Sequence, residues 1–161
     1  MESEGKPRPE FVIRGFDGAR DAARVAEILL EAREAAAWSE EALRETGKLP
    51  GVAAFVSERG GAISGIVVGR RVLDEAEILN LAVAKRMRRQ GEGRALVQQL
   101  LNRFAEFQVS RVFLEVRESN AGAIAFYREL GFQAVGIRRD YYQDPKEAAT
   151  VMELLLIKST N

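Results

Sequence analysis

Residues 78–107, ILNLAVAKRMRRQGEGRALVQQLLNRFAEF, decide the fold of this chain. The first six are mostly apolar, which is typical of a buried strand. From Gly93 onward the apolar residues recur three and four positions apart, and this spacing predicts a helix with one buried face. The segment is therefore predicted to be a strand, a glycine-containing turn and the start of a helix.

The turn between this strand and helix is suited to an anion. Backbone N–H groups and the helix dipole favour negative charge at a helix start, and Gly91 and Gly93 allow close approach because they have no Cβ. The chain has 24 basic and 24 acidic side chains, yet five cations fall between residues 85 and 94: Lys85, Arg86, Arg88, Arg89 and Arg94. The turn predicts a phosphate site, and the alternative is an ordinary glycine turn with solvated arginines.

Two common nucleotide motifs do not fit this turn. A Walker A loop requires Gly-Lys-Ser/Thr, whereas Gly93 is followed by Arg94 and Ala95. A dinucleotide fingerprint requires a third glycine where the chain has Leu96. The phosphate ligand is therefore expected to belong to another class.

The patterns on either side predict one α/β domain. Residues 1–9 are expected to be a flexible tail and 10–161 a single domain, since a chain of this length is typical of one domain. A helix joins two strands, 78–83 and 112–116, so these strands should be parallel. The other predicted elements are strands at 11–16, 52–56, 63–73, 132–138 and 149–157, and helices at 21–37, from 39 to 47 and from Asn120 to Leu130, with Gly131 in a left-handed conformation after the last.

The composition excludes several kinds of chemistry. The chain has no histidine and no cysteine, which removes Ser-His-Asp and Cys-His catalysis, disulfides and the usual zinc sites, and no metal is expected. No signal peptide and no run of about 20 apolar residues is present. The zero net charge argues against a wholly basic nucleic-acid binder. A cytoplasmic protein is expected, with catalysis by carboxylates, tyrosine, backbone amides or a bound cofactor.

Two motifs resemble those of a known family. Arg88-x-x-Gly91-x-Gly93 after the apolar strand resembles the acetyl-CoA motif of GNAT N-acetyltransferases. Residues 114–132, LEVRESNAGAIAFYRELGF, resemble the RimI-type protein N-terminal alanine acetyltransferases, as do residues 38–40, 74–76 and 137–142. The resemblance extends from about Trp38 to the C-terminus. It implies the GNAT fold, a mixed and mostly antiparallel sheet with helices on both faces, whose parallel strand pair splays apart around acetyl-CoA.

The resemblance also implies roles for particular residues. Those matching cofactor contacts are Leu81, Ala82, Val83, Arg88, Arg89, Gln90, Gly91, Glu92, Gly93, Arg94, Asn120 and Tyr127. Glu115 matches the general base and Tyr127 the general acid, while Glu77 is an alternative base. Trp38, Glu77, Tyr141 and Tyr142 are expected to contact the acceptor. That acceptor would be a protein N-terminus, such as the N-terminal alanine of a ribosomal protein, whose basic tail the acids at 140, 144 and 147 would complement.

The residues themselves leave alternatives to these roles. Glu115 interrupts an apolar strand, where a carboxylate is costly unless it is functional or paired, so it either accepts a proton through water or pairs with Arg117 or another arginine. Tyr127 lies on the inward face of its helix and is either a core aromatic or the proton donor to a thiolate. Tyr141 and Tyr142 could also be surface aromatics on a loop.

Two positions depart from the family pattern. Ala84-Lys85 replaces the usual Asp-Pro, and Glu92 between the two glycines would add negative charge beside a pyrophosphate. Other functions also fit: acetylation of a small amine or a lysine side chain, or a noncatalytic module that binds CoA, a nucleotide phosphate or RNA. No aromatic residue lies in 85–94 to stack on a base, so no direct nucleic-acid contact is expected.

Overall fold

The computed structural model describes residues 10–32 and 35–156. The predicted tail at 1–9 and the predicted end of the last strand at Ile157 lie outside them. Within the described residues the order of elements is the predicted one. The elements are β1 (Val12–Gly15), α1 (Gly18–Glu31), α2 (Glu40–Gly47), β2 (Val52–Arg59), β3 (Ala62–Val72), β4 (Glu75–Val83), α3 (Glu92–Glu106), β5 (Arg111–Arg117), α4 (Ala121–Glu129), β6 (Gln133–Tyr142) and β7 (Glu147–Leu155).

The helix ends follow from local capping groups. α1 begins three residues before the predicted Asp21 because the Asp17 carboxylate accepts hydrogen bonds from the N–H groups of Ala19 and Arg20. The prediction that this helix continues to Ala37 is wrong, since the backbone at Ala32 is already extended. α2 begins as predicted, with the Ser39 hydroxyl as its N-cap.

The strands form one mixed sheet in the order β1-β2-β3-β4-β5-β7-β6. β4 and β5 are parallel, and the other neighbouring strands are antiparallel. Pairing between β4 and β5 joins Glu75–Glu77 to Arg111–Phe113, although β4 continues to Val83 and β5 to Arg117. The two strands therefore separate toward their C-terminal ends, which confirms the expected splayed pair.

A bulge changes which side chains β4 presents to each face of the sheet. Gly69 of β3 pairs with Ile78 and Val68 with Asn80, so Leu79 is an extra residue on β4. Before the bulge, Ile78 is buried on the side of α3. After it, Ala82 is buried on the side of α1. The bulge thus turns the backbone at the point where β4 leaves β5.

Helices cover both faces of the sheet, as expected. α3 and α4 pack on one face, where the largest buried side chains are Leu96, Leu100, Phe104, Phe132 and Met152. α1 and α2 pack on the other face, over Val56, Ile66 and Val68. No helix in residues 10–32 and 35–156 is long and apolar enough to cross a membrane.

Candidate active site

A cleft of about 640 Å³ opens where β4 and β5 separate, and we call it the β4–β5 cleft. It brings together eleven of the residues singled out from the sequence: Trp38, Glu77, Leu81, Val83, Arg88, Gly93, Glu115, Asn120, Tyr127, Tyr141 and Tyr142. The side chain of Ala82 is buried against the α1 side of the sheet, so its backbone is the part that can face this cleft.

The start of α3 lies at one end of the cleft and has the chemistry of an anion site. Gly91 immediately precedes the helix in a left-handed conformation, with φ of 86°. Arg88 donates a hydrogen bond from Nε to the carbonyl of Val83, at 3.4 Å. A Cβ added at Gly93 would contact the Phe126 ring at 3.6 Å. Amide groups, nearby arginines and an apolar wall together fit a ligand with both phosphate and apolar parts.

The side chain of Glu92 does not point toward this anion site. Its carboxylate is buried, with 1% of the residue exposed. It accepts a hydrogen bond of 2.9 Å from the Ser57 hydroxyl and forms an ion pair with Arg59. The expectation that its negative charge lies beside a bound pyrophosphate is therefore wrong, because that charge is directed into the core and compensated there. A contact through the Glu92 backbone amide stays a prediction.

Glu115 of β5 is paired, but with a different arginine from the one named in the sequence. Arg138 of β6 places Nε 3.1 Å from Glu115 Oε1. Arg117 instead pairs with Glu147, at 3.3 Å. A hydrogen bond from the Tyr141 hydroxyl to Glu115 raises the pKa of Tyr141 to about 12. Glu115 thus combines an ion pair with a place in the cleft lining.

Glu77 of β4 lies close enough to Glu115 for the two charges to interact. Burial raises the pKa of the Glu77 carboxyl, the charge of Glu115 raises it further, and Arg138 partly offsets the rise. Two carboxylates that repel one another hold a proton or a cation more readily than one alone. The pair is therefore suited to receive an ammonium group or its proton.

Tyr127 belongs both to the core and to the cleft. Its ring packs edge to face against Phe126 at 5.1 Å and against Phe132 at 5.5 Å. Burial raises the pKa of the Tyr127 phenol well above its usual value. The hydroxyl group therefore keeps its proton at neutral pH, as a proton donor must.

A second cleft of about 680 Å³ lies on the α2 side of the two carboxylates, and we call it the α2-side cleft. It shares Trp38, Glu77, Leu79 and Glu115 with the β4–β5 cleft. The rest of its lining is Thr46, Leu49, Arg70, Val72, Glu75, Ala76, Phe113, Arg138 and Val151. Glu77 and Glu115 thus stand where the clefts meet, so a ligand in each cleft would reach the same two carboxylates.

The two tyrosines at the end of β6 line the β4–β5 cleft. Their rings meet edge to face at 4.9 Å, and the Arg117 guanidinium lies 4.3 Å from the centre of the Tyr142 ring. The neighbouring acids already have partners: Asp140 pairs with Lys146 at 3.5 Å, and Glu147 accepts hydrogen bonds from Ser119. Their charges are therefore partly neutralised within the protein.

Asn80 is a buried polar residue that the sequence reasoning missed. Its Nδ2 donates a hydrogen bond of 2.8 Å to the carbonyl of Ala36, which fastens β4 to the segment before α2. Ala36 and Trp38 of that segment line the β4–β5 cleft. The signal in the sequence was a single amide side chain, Asn80, within the apolar run 78–83. A buried amide requires a hydrogen-bond partner, so this position could have been singled out.

Three comparisons with known proteins agree with this geometry. The model of the acetyltransferase (GNAT) family matches residues 22–132. The alanine N-acetyltransferase of ribosomal protein bS18 from Escherichia coli strain K12 is 42% identical over 102 residues, which are 62% of this chain and 69% of that protein. The crystal structure of the ribosomal-protein-S18-alanine N-acetyltransferase from Escherichia coli superposes with a TM-score of 0.83 at 34% identity, over 93% of this chain and 96% of that one.

A more distant structure shares the fold alone. It is a GNAT family acetyltransferase from Elizabethkingia anophelis with acetyl-CoA bound. Its TM-score is 0.77 at 17% identity, over 92% of this chain and 100% of that one.

Proposed function

The chain belongs to the GNAT family of acetyltransferases, and from that premise we propose that it transfers an acetyl group from acetyl-CoA to the N-terminal amine of a protein that begins with alanine. The observation that carries the proposal is the meeting of two clefts at Glu77 and Glu115. The β4–β5 cleft reaches the start of α3 at Arg88 and Gly93, and the α2-side cleft lies beside Thr46 and Leu49. The first suits the cofactor and the second the acceptor.

The residues around the β4–β5 cleft fit acetyl-CoA. The backbone of residues 89–94 would hold the pyrophosphate, and the unpaired edge of β4 at Leu81, Ala82 and Val83 would face the pantetheine. Asn120 caps α4 through its Oδ1 atom, so its Nδ2 is the group that would reach a ligand. When bound, acetyl-CoA supplies an activated acetyl thioester.

The two carboxylates would prepare the acceptor. A peptide N-terminus is an ammonium group for much of the neutral pH range and must lose a proton before it attacks. We assign that proton to Glu115, directly or through water, with Glu77 as the alternative. The raised pKa of Glu77 favours proton acceptance, while the position of Glu115 on β5 carries the family resemblance.

Tyr127 would complete the proton transfers. The departing thiolate requires a proton, and the phenol Oη of Tyr127 holds one because burial raises its pKa. Its ring is fixed between Phe126 and Phe132, so the donor is positioned before the reaction begins.

The acceptor assignment is supported by the relatives and by the aromatic lining. A ribosomal protein N-terminus is the acceptor that the Escherichia coli relative's name gives. Trp38 lines both clefts and offers a flat apolar surface to the first residues of a peptide, while Tyr141 and Tyr142 line the β4–β5 cleft, where the Tyr141 hydroxyl bonds Glu115 at the junction of the two clefts. An acceptor of that kind would place the reaction in the cytoplasm.

A matched peptide panel tests the acceptor. One peptide begins with alanine and contains one lysine. A second, the lysine peptide, has the same sequence with its N-terminus chemically blocked, so that the lysine is its only free amine. Two more begin with serine or methionine, and a small primary amine completes the set. We expect labelled acetyl groups to appear on the alanine peptide and not on its blocked form. Transfer to the lysine peptide or the small amine, with none to any free N-terminus, would refute N-terminal acetylation.

A further inference from the structure

We propose that Glu92 is a positioning residue that, together with Ser57 and Arg59, fixes the first turn of α3 for the cofactor pyrophosphate. The inference rests on the proposed function, because it assumes that this turn holds acetyl-CoA. The carboxylate of Glu92 is directed to Ser57 and Arg59 and touches neither reactant. It acts through the backbone amides on either side of it.

The contacts run from the first residue of α3 into the adjoining sheet. Glu92 Oε2 accepts a hydrogen bond of 2.9 Å from the Ser57 hydroxyl, and Oε1 pairs with Arg59 Nε. Both partners belong to β2, 33 and 35 residues earlier in the chain. A helix start between two glycines has little stiffness of its own. These contacts therefore hold residues 91–93 against a rigid sheet.

The structure around Ser57 is shaped to allow this contact. Ser64 donates a hydrogen bond to the Ser57 carbonyl at 3.3 Å, beside a bulge in the β2–β3 pairing. A Cβ added at Gly65 would lie 2.7 Å from the Ser57 hydroxyl oxygen. The hydroxyl that reaches Glu92 thus occupies the space that a side chain at position 65 would fill.

Arg59 also prevents the buried carboxylate from opposing an anion. A negative charge at the start of α3 would repel a pyrophosphate bound by the same turn. Arg59 compensates it from a side chain that is 12% exposed. The Arg59 guanidinium is held in turn by Glu10 at 3.1 Å and lies 5.3 Å from the centre of the Phe11 ring. The acidic residue in the glycine turn is therefore compatible with phosphate binding as long as Arg59 is present.

The chain contains a matched control at another helix. Arg14 of β1 pairs at 2.7 Å with Asp21, a buried carboxylate in the first turn of α1. Arg14 also pairs with Glu58 of β2 at 2.7 Å, so the control includes a contact to the strand that carries Ser57 and Arg59, while its helix lies on the opposite face of the sheet from α3. Arg14→Gln therefore reports the general cost of losing such a pair.

The experiment measures CoA binding by calorimetry for the wild type, Glu92→Ala, Arg59→Gln, the double variant Arg59→Gln/Glu92→Gln, and Arg14→Gln. We expect both single variants in the α3 pair to raise the Kd of CoA about tenfold, which corresponds to about 1.4 kcal/mol. The double variant should recover part of the loss of Arg59→Gln, because no uncompensated charge remains. Arg14→Gln should bind CoA like the wild type.

A truncated substrate separates positioning from general damage. Acetyl-pantetheine lacks the pyrophosphate, so its kcat/KM should be unchanged in Glu92→Ala and Arg59→Gln. The inference is overturned if these variants bind CoA as tightly as the wild type, or if they lose acetyl-pantetheine activity in the same proportion as CoA affinity. A double variant no better than Arg59→Gln would overturn the charge compensation. A wild-type protein that does not bind CoA would instead refute the proposed function.

Discussion

Replacing Arg138 with glutamine should move the acidic limb of the pH–rate profile upward by about half a pH unit. Arg138 pairs with Glu115 and also lowers the pKa of Glu77. Its removal should therefore raise the pKa of Glu77 further. A base acts only when unprotonated, so a higher pH is then required for the same rate. The predicted direction therefore applies when Glu77 accepts the proton.

An upper limit on the shift comes from the closer ion pair that Arg138 makes, with Glu115. Two unit charges at the observed 3.1 Å interact by about 1.3 kcal/mol in bulk water. The Arg138 side chain is 61% exposed, and exposed pairs contribute about 0.2–1 kcal/mol once screening and side-chain ordering are included. A value of about 0.7 kcal/mol corresponds to half a pH unit, since one unit equals about 1.4 kcal/mol.

The assay is the initial rate of acetylation of an alanine peptide at saturating acetyl-CoA, across the acidic and neutral range. The amine of the peptide titrates identically with every variant, so the difference between profiles reports the enzyme groups. Arg139→Gln is the control, because it removes the same charge from the next position of β6. A profile of Arg138→Gln that coincides with the wild type, or moves to lower pH, would refute the electrostatic argument.

The same pH–rate profile, measured for Glu115→Gln and for Glu77→Gln, identifies the residue that acts as the base. If Glu115 accepts the proton, Glu115→Gln removes most activity and Glu77→Gln retains most of it. If Glu77 accepts it, the outcomes are exchanged. Full activity of Glu115→Gln at every pH would show that Glu115 is not the base.

Three further changes test other parts of the site and core. Tyr127→Phe should lower kcat by about a hundredfold while the Kd of CoA stays normal; an unchanged kcat would leave Tyr127 as a core aromatic only. Asn80→Ala removes the 2.8 Å hydrogen bond to the Ala36 carbonyl and should raise the KM of the peptide while costing about 1 kcal/mol in urea unfolding; an unaltered KM would exclude positioning of the segment before α2. Gly69→Ala places a Cβ 2.7 Å from the Phe104 ring and should destabilise the fold by about 1–3 kcal/mol; a thermal midpoint equal to the wild type would contradict this close packing.

The order of elements was predictable from the sequence because it depends on local patterns. The apolar spacing after Gly93 gives α3, and Ser39 and Asn120 cap α2 and α4 through hydrogen bonds to nearby backbone. The end of α1 was not predictable in this way. Its alanine-rich continuation has good helix propensity, yet Ala36 instead accepts a bond from Asn80, 44 residues away. Tertiary contact outweighed propensity there.

The membership of the site was largely predictable, whereas its electrostatics were not. The two sequence motifs fixed where the backbone runs, and Arg88, Gly93, Glu115 and Tyr127 all line one cleft. Side-chain partners depend on which strands become neighbours. Arg138 reaches Glu115 from β6 across β7, and Glu92 turns inward to meet Arg59. Neither pairing has a signature in local sequence.

Because the chain has no histidine, the choice of proton acceptor depends on the two carboxylates, Glu77 and Glu115. Histidine is the side chain whose usual pKa lies closest to neutrality, and this chain has none. A carboxyl group can approach that range when burial and a like charge both oppose its ionisation, and these are the two causes that raise the pKa of Glu77. Arg138 limits the rise from the solvent side. The separation of β4 and β5 opens the β4–β5 cleft with Glu77 on one strand and Glu115 on the other, and this is where we propose that the amine loses its proton.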